Sequence, residues 1–189
     1  MHKNNLKKFY FIDQFNKDHL KNLNNNTAVI YRNYNIKYKE SEIQKISNFC
    51  KSKRLKFFLS NDVKLAIKLR LNGVYIPSFN KSLNVLKAKL NNLTLLGSAH
   101  NIKEINEKKR QKVDFIFLTP IFKVKKRETN LGIIRFNILS KLNGFKSVAL
   151  GGINFKNINK IKILNCYGFG SISYIKESLI KLNESNRNN

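Results

Sequence analysis

Apolar residues in this chain fall in short, almost unbroken runs, each closed by a polar residue or a turn former. Eight stand out: KFYFID (8–13), TAVIYR (27–32), KFFLSN (56–61), GVYIP (73–77), LTLLGS (93–98), DFIFLT (114–119), SVALGG (147–152) and GFGSIS (168–173). A strand with one wet face alternates apolar and polar residues. Runs apolar at successive positions predict strands covered on both faces, as in a parallel sheet beneath helices. Between the runs the period lengthens. SEIQKISNFCKSK (41–53) puts Ile43, Ile46, Phe49 and Cys50 on one helical face. DVKLAIKLRLN (62–72) does the same with Val63, Leu65, Ala66 and Leu69, behind Asp62 as N-cap. NIKEINEKKRQK (101–112) carries Ile102 and Ile105, with Asn101 and Glu104 as a capping-box start. NFKNINKIKILNCY (154–167) and YIKESLIKLNES (174–185) predict two further helices, and DHLKNLN a short first one.

Strand and helix thus alternate about every 20 to 25 residues, the rhythm of βα units. Eight units predict an α/β fold closed as a (β/α)8 TIM barrel of parallel strands, with an open doubly wound sheet as the rival. A chain of 189 residues makes a short version of the barrel. The expected layout is one barrel domain over residues 1–183 and a disordered tail over 184–189. Both folds bind ligands at the carboxyl ends of the strands. There the sequence places Asp13, Arg32, Asn61 with Asp62, Pro77 with Ser78, Ser98 with His100, Thr119, Gly151 with Gly152, and Ser173.

Only 8 glycines occur in the chain, and two of them are adjacent at Gly151 and Gly152. Glycine is entropically costly, so the pair needs a tight turn, a positive φ or a closely approaching ligand. In barrels of this kind, loops after the seventh and eighth strands often bind phosphate through backbone amides. A phosphate site at this pair is therefore one reading, and an ordinary strand-to-helix turn is the other.

Charge widens the field of partners before it narrows it. There are 37 Lys and Arg against 11 Asp and Glu, a formal net charge of +26. Such a field suits nucleic acid, an anionic membrane or phosphorylated small molecules. The lysines are spread along the chain, with no recognition-helix or aromatic-basic stacking pattern, which argues against nucleic acid. Lys, Asn and Ile abound while Ala and Gly are scarce, so AT-rich codon usage also accounts for part of the charge. Cys50 and Cys166, both in expected helices, form neither a metal spacing nor a disulfide framework. No run reaches the length of a membrane span, and MHKNNLKKFYFIDQ lacks the apolar core of a leader peptide. The expectation is a soluble cytoplasmic protein acting on phosphorylated small molecules, with a second copy of itself as a candidate partner.

The ordered motifs resemble those of thiamine phosphate synthases and their TenI-like relatives. LSNDVKLAIKLRLNGVYIP (59–77) is similar to the family's Asn-Asp…Ala…Gly-Val-His-Leu segment. LLGSAHNIKEI (95–105) resembles its Ser-x-His strand end, and DFIFLTPIF (114–122) its Asp-Tyr-x-x-x-Gly-Pro-x-Phe. LGI (131–133), VALGGI (148–153) and GFGSIS (168–173) follow in the family's order. The resemblance implies a barrel that joins hydroxymethylpyrimidine pyrophosphate to thiazole phosphate. Pyrophosphate leaves first, and the thiazole nitrogen captures the pyrimidine cation. That task is electrostatic and positional, with Mg2+ held by one or two carboxylates and phosphate oxygens.

Carried over residue by residue, the resemblance makes Arg32, Ser98 and Lys126 the catalytic candidates. It assigns Asn61, Lys125, Arg127, Gly151, Gly152, Ile172 and Ser173 to substrate and phosphate binding, and Asp62 to the metal. The pattern is incomplete. The family's glutamine and lysine flanking the arginine fall on Ile30 and Tyr34, and its second metal carboxylate falls on Asn80. KVKKRET (123–129) replaces the Thr-x-Thr-Lys loop but keeps Lys125, Lys126 and Arg127. Thr119-Pro120 stands where TenI-like tautomerases carry a histidine, which argues against that chemistry. His100 is read as a structural hydrogen-bonding residue. Three functions remain open: a synthase with a partly degenerate site, a non-synthase barrel binding a thiazole or another phosphorylated metabolite, and a basic nucleic-acid binder.

Overall fold

The computed structural model describes residues 6–125 and 128–185. Eight parallel strands close into a barrel: β1 (Lys7–Ile12), β2 (Thr27–Tyr31), β3 (Lys56–Ser60), β4 (Gly73–Ile76), β5 (Thr94–Ala99), β6 (Phe115–Leu118), β7 (Lys146–Leu150) and β8 (Gly168–Ser171). Each strand pairs with its sequence neighbours, and β8 pairs with β1 to close the ring. Helices α1 (Lys17–Lys21), α2 (Glu40–Ser52), α3 (Val63–Lys68), α4 (Leu86–Leu90), α5 (Ile102–Arg110), α6 (Gly132–Asn143) and α7 (Ser173–Ser185) lie between and after the strands. This is the expected (β/α)8 fold, and it excludes the open sheet.

Side-chain alternation sorts the strand residues. Phe9, Phe11, Ala28, Ile30, Phe58, Tyr75, Leu96, Phe117 and Val148 pack together as one buried cluster filling the barrel. Their neighbours along the strands, such as Tyr10, Val29, Phe57 and Val74, pack outward with Ile43, Ile46, Cys50 and Ala66 of the helices. Both strand faces are therefore dry, which is why the runs read as continuously apolar.

The aromatic interior demands small residues opposite it. A Cβ on Gly170 would come 3.0 Å from the Phe11 ring, and one on Gly168 only 2.1 Å from the Lys7 carbonyl oxygen. Gly168→Ala is thus expected to strain the β1–β8 seam and destabilise the fold by about 2 kcal/mol, the usual scale of overpacking. Denaturant unfolding checks this; a change within error would show that the seam can widen freely.

Several local expectations change. The segment 154–167 forms no α-helix but a 3-10 segment, Ile158–Ile163, and Cys166 follows it outside any helix. Asn154 and Asn157 spend their side chains on local backbone groups: Asn157 Nδ2 donates to Gly152 O at 2.7 Å, and the amides of Asn154 and Lys156 donate to Asn157 Oδ1 and Asn154 Oδ1. Ile102 is 60% exposed, so α5 buries Ile105 and Lys108 instead. β8 stops at Ser171, and Ser173 opens α7. That helix continues through Glu184 and Ser185, two residues into the segment expected as tail; residues 186–189 lie outside the described residues. Helices α4 and α6 had no counterpart among the expected helices. Among the described residues no helix is long and apolar enough to cross a membrane.

Candidate active site at the carboxyl ends of the strands

The floor of the barrel mouth is aromatic. Phe11, Tyr75 and Phe117 meet edge to face, with ring centroids 5.2 to 5.9 Å apart. Arg32, the residue after β2, lays its guanidinium over Phe11, with Cζ 4.7 Å from the ring centroid. The Tyr75 phenol lies close enough to Arg32 and Ser98 for both to act on its ionisation. Burial, the largest cause, pushes the Tyr75 phenol up to about 12, while Ser98 and Arg32 pull the other way. Tyr75 is therefore a neutral hydrogen-bonding group at ordinary pH. Ser98, 4% exposed, is the penultimate residue of β5, beside it. Arg32 and Ser98 were legible as strand-end residues. Phe11 and Tyr75 were legible only as interior residues, and what makes them part of the site is that Arg32 lies over Phe11 and close to Tyr75.

The neighbouring rim carries amides where metal-binding carboxylates were sought. Asp62 caps α3, its Oδ1 accepting the Leu65 amide at 2.9 Å. Asn61 adopts a left-handed φ of 61° and accepts a 2.7 Å hydrogen bond from Asn80 Nδ2. Asn80 Oδ1 is occupied by the Ser82 amide at 2.9 Å. The two-carboxylate arrangement therefore does not fit, because Asn80 points a paired N–H2 into that place. Asp62 alone keeps a second carboxylate oxygen for a cation, the minimum for Mg2+ with phosphate oxygens. Among the described residues no group of three or more His, Cys, Asp or Glu side chains gathers to hold a metal. On the same rim Tyr34 accepts from Ser60 Oγ at 3.2 Å and meets Phe79 edge-on, centroids 5.6 Å apart.

The glycine pair lies just beyond β7 with φ of 94° at Gly151 and 73° at Gly152. A Cβ on Gly151 would meet Pro120 at 2.8 Å, and one on Gly152 the Lys123 carbonyl oxygen at 2.7 Å. Of the three possible reasons for the pair, positive φ holds, and a fourth adds to it: close approach of the chain's own loop after β6. A substitution at Gly152 accordingly disturbs that loop and cannot isolate a phosphate contact. Ser171 Oγ donates to Ile153 O at 3.0 Å and accepts the Tyr174 amide at 3.1 Å, fixing the start of α7 next to Ile172 and Ser173, both exposed. Lys125 is exposed in the loop after β6; Lys126 and Arg127 lie outside the described residues. His100 holds its Nδ1 2.6 Å from Thr119 O, so that nitrogen carries the proton and ties β5 to the loop after β6. This is the structural role expected of it.

The fold and mouth define a (β/α)8 barrel with basic, hydroxyl and amide groups gathered over an aromatic floor. The thiamine monophosphate synthase family model matches residues 17–175, and the chain belongs to that family. It is 27% identical to the thiamine-phosphate synthase of Prochlorococcus marinus over 125 residues, which cover 65% of this chain and 36% of that one. It is 25% identical to the Staphylococcus epidermidis thiamine-phosphate synthase over 138 residues, 71% of this chain and 65% of the other. The matches thus span less than two thirds of these relatives' length. Among solved structures, thiamine phosphate pyrophosphorylase from Pyrococcus furiosus superposes with a TM-score of 0.75 at 19% identity, covering 96% of this chain and 95% of that one.

Proposed function

We propose that this barrel is a transferase of the thiamine phosphate synthase type, joining hydroxymethylpyrimidine pyrophosphate to thiazole phosphate to give thiamine phosphate and pyrophosphate. The observation that carries this reading is Arg32, held over the Phe11 ring at the barrel mouth, near Tyr75 and Ser98. In the reaction, the bond between the pyrimidine methylene carbon and the pyrophosphate oxygen breaks, and its electrons leave with pyrophosphate. Arg32 meets that growing negative charge with a group that needs no reorganisation. Phe11, Tyr75 and Phe117 form the rigid apolar floor on which Arg32 rests. The thiazole nitrogen then donates its lone pair to the methylene carbon. Lys125, with Lys126 and Arg127, adds charge at the pyrophosphate end. Gly151, Gly152 and the backbone at Ile172 and Ser173 cradle the thiazole phosphate. Asp62 is the residue that would hold Mg2+, and the ion would shield the charge of the leaving group.

The paired amides of Asn61 and Asn80 favour a second reading, a barrel that binds a phosphorylated metabolite without synthase turnover. Phosphorylated small molecules are the partners in both readings, with a cytoplasmic location and a second copy of the chain as the further expectation. Complementation of a thiamine-requiring strain lacking its synthase separates the two. Growth without thiamine is expected; no growth despite soluble expression would favour the second reading.

A further inference from the structure

Lys108 and Gln111 are completely buried polar residues at the end of α5, and neither is among the groups assigned to the chemistry. Lys108 Nζ donates to Pro77 O at 2.9 Å, Asn80 O at 2.8 Å and Gln111 Oε1 at 2.8 Å. An ammonium has three donors, and all three are used. Gln111 Nε2 donates to Asn80 O at 3.0 Å and Ser82 O at 2.9 Å. These bonds converge on the loop after β4. Asn80 is then held on every polar group: its amide donates to Pro77 O at 3.1 Å, and its side chain binds Ser82 and Asn61.

We propose that Lys108 and Gln111 form a positioning clamp on the β4 loop, holding Asn80 and Phe79 across the barrel mouth and so setting its grip on a pyrophosphate-bearing substrate. The second half of this statement rests on the function proposed above. Three features support the clamp. Among the described residues Lys108 makes no ion pair, although burying an unpaired charge is costly and an apolar residue would fill the same space. Gly97 of β5 leaves room for the lysine stem, since a Cβ there would come 3.0 Å from Lys108 Cδ. Burial pulls the Lys108 ammonium down to about 8, with Glu104 and Glu107 acting in the opposite sense, so the group stays largely charged at neutral pH.

Lys108→Met keeps the stem and removes the donors, while Pro77 O retains the Asn80 amide and Asn80 O retains Gln111 Nε2. The variant is expected to stay folded with a Tm within a few degrees of wild type. Amide hydrogen exchange over residues 78–82 should rise by about tenfold, the scale of one or two lost hydrogen bonds. Calorimetric affinity for inorganic pyrophosphate should fall by a similar factor, and affinity for thiazole phosphate should change less than about twofold. Gly97→Ala, which pushes on the stem from the other side, should give the same pattern and serves if Lys108→Met does not fold. Unchanged exchange in a folded variant overturns the clamp. Faster exchange with unchanged pyrophosphate affinity overturns its positioning role. Neither readout needs turnover, so a wild-type protein that binds pyrophosphate but makes no thiamine phosphate would sink the synthase reading and leave the clamp to be judged by these two measurements.

Discussion

Arg32→Ala is expected to lower turnover by a hundred- to a thousandfold, about the loss seen when one preorganised charge-stabilising donor is removed. In the native fold the guanidinium is placed by the Phe11 ring beneath it, with the Tyr75 hydroxyl nearby. Removing it should cost little stability, since Arg32 is only half-buried at a rim and the rings below pack on one another. Arg32→Lys should recover only part of the rate, because a lysine supplies the charge without the planar face that stacks on Phe11. Steady-state kinetics with a melting curve on each variant checks this. A loss of Tm matching the loss of rate would mean that Arg32 supports the barrel and not the chemistry.

Asp62 should separate two jobs in one side chain. Asp62→Ala removes both the cap on α3 and the candidate metal oxygen, so turnover should fall by about a hundredfold. Stability should fall by about 1 kcal/mol. Asp62→Asn keeps an oxygen to accept the Leu65 amide but loses the negative charge, so it should restore stability and leave turnover low. Should Asp62→Asn turn over like wild type, the carboxylate is a cap alone and the rim holds no metal. Raising Mg2+ should partly rescue Asp62→Asn if the carboxylate binds the ion.

The barrel was legible because its physical cause is in the sequence. A strand buried on both faces must be apolar at successive positions, and the eight runs match the eight strands to within two residues at each end. Arg32 and Ser98 could be found because a polar residue closing an apolar run sits at a strand end. What could not be read depends on neighbours far away in the chain. Lys108 stands in NEKKRQK and looks like one more solvated lysine; only the loop carbonyls 28 to 31 residues earlier reveal otherwise. The helix expected over 154–167 had the right apolar spacing, yet beyond the Asn154 and Asn157 turns only the 3-10 segment Ile158–Ile163 forms. The glycine pair was marked as special by scarcity alone. Its reason, a loop after β6 packed within 3 Å of both would-be Cβ positions, is a tertiary fact.

The most direct test is to incubate the purified protein with hydroxymethylpyrimidine pyrophosphate, thiazole phosphate and Mg2+, and to quantify both products. Thiamine phosphate and pyrophosphate should appear in equal amounts, and Arg32→Ala should suppress both together. A folded protein that binds thiazole phosphate yet forms neither product would contradict the account.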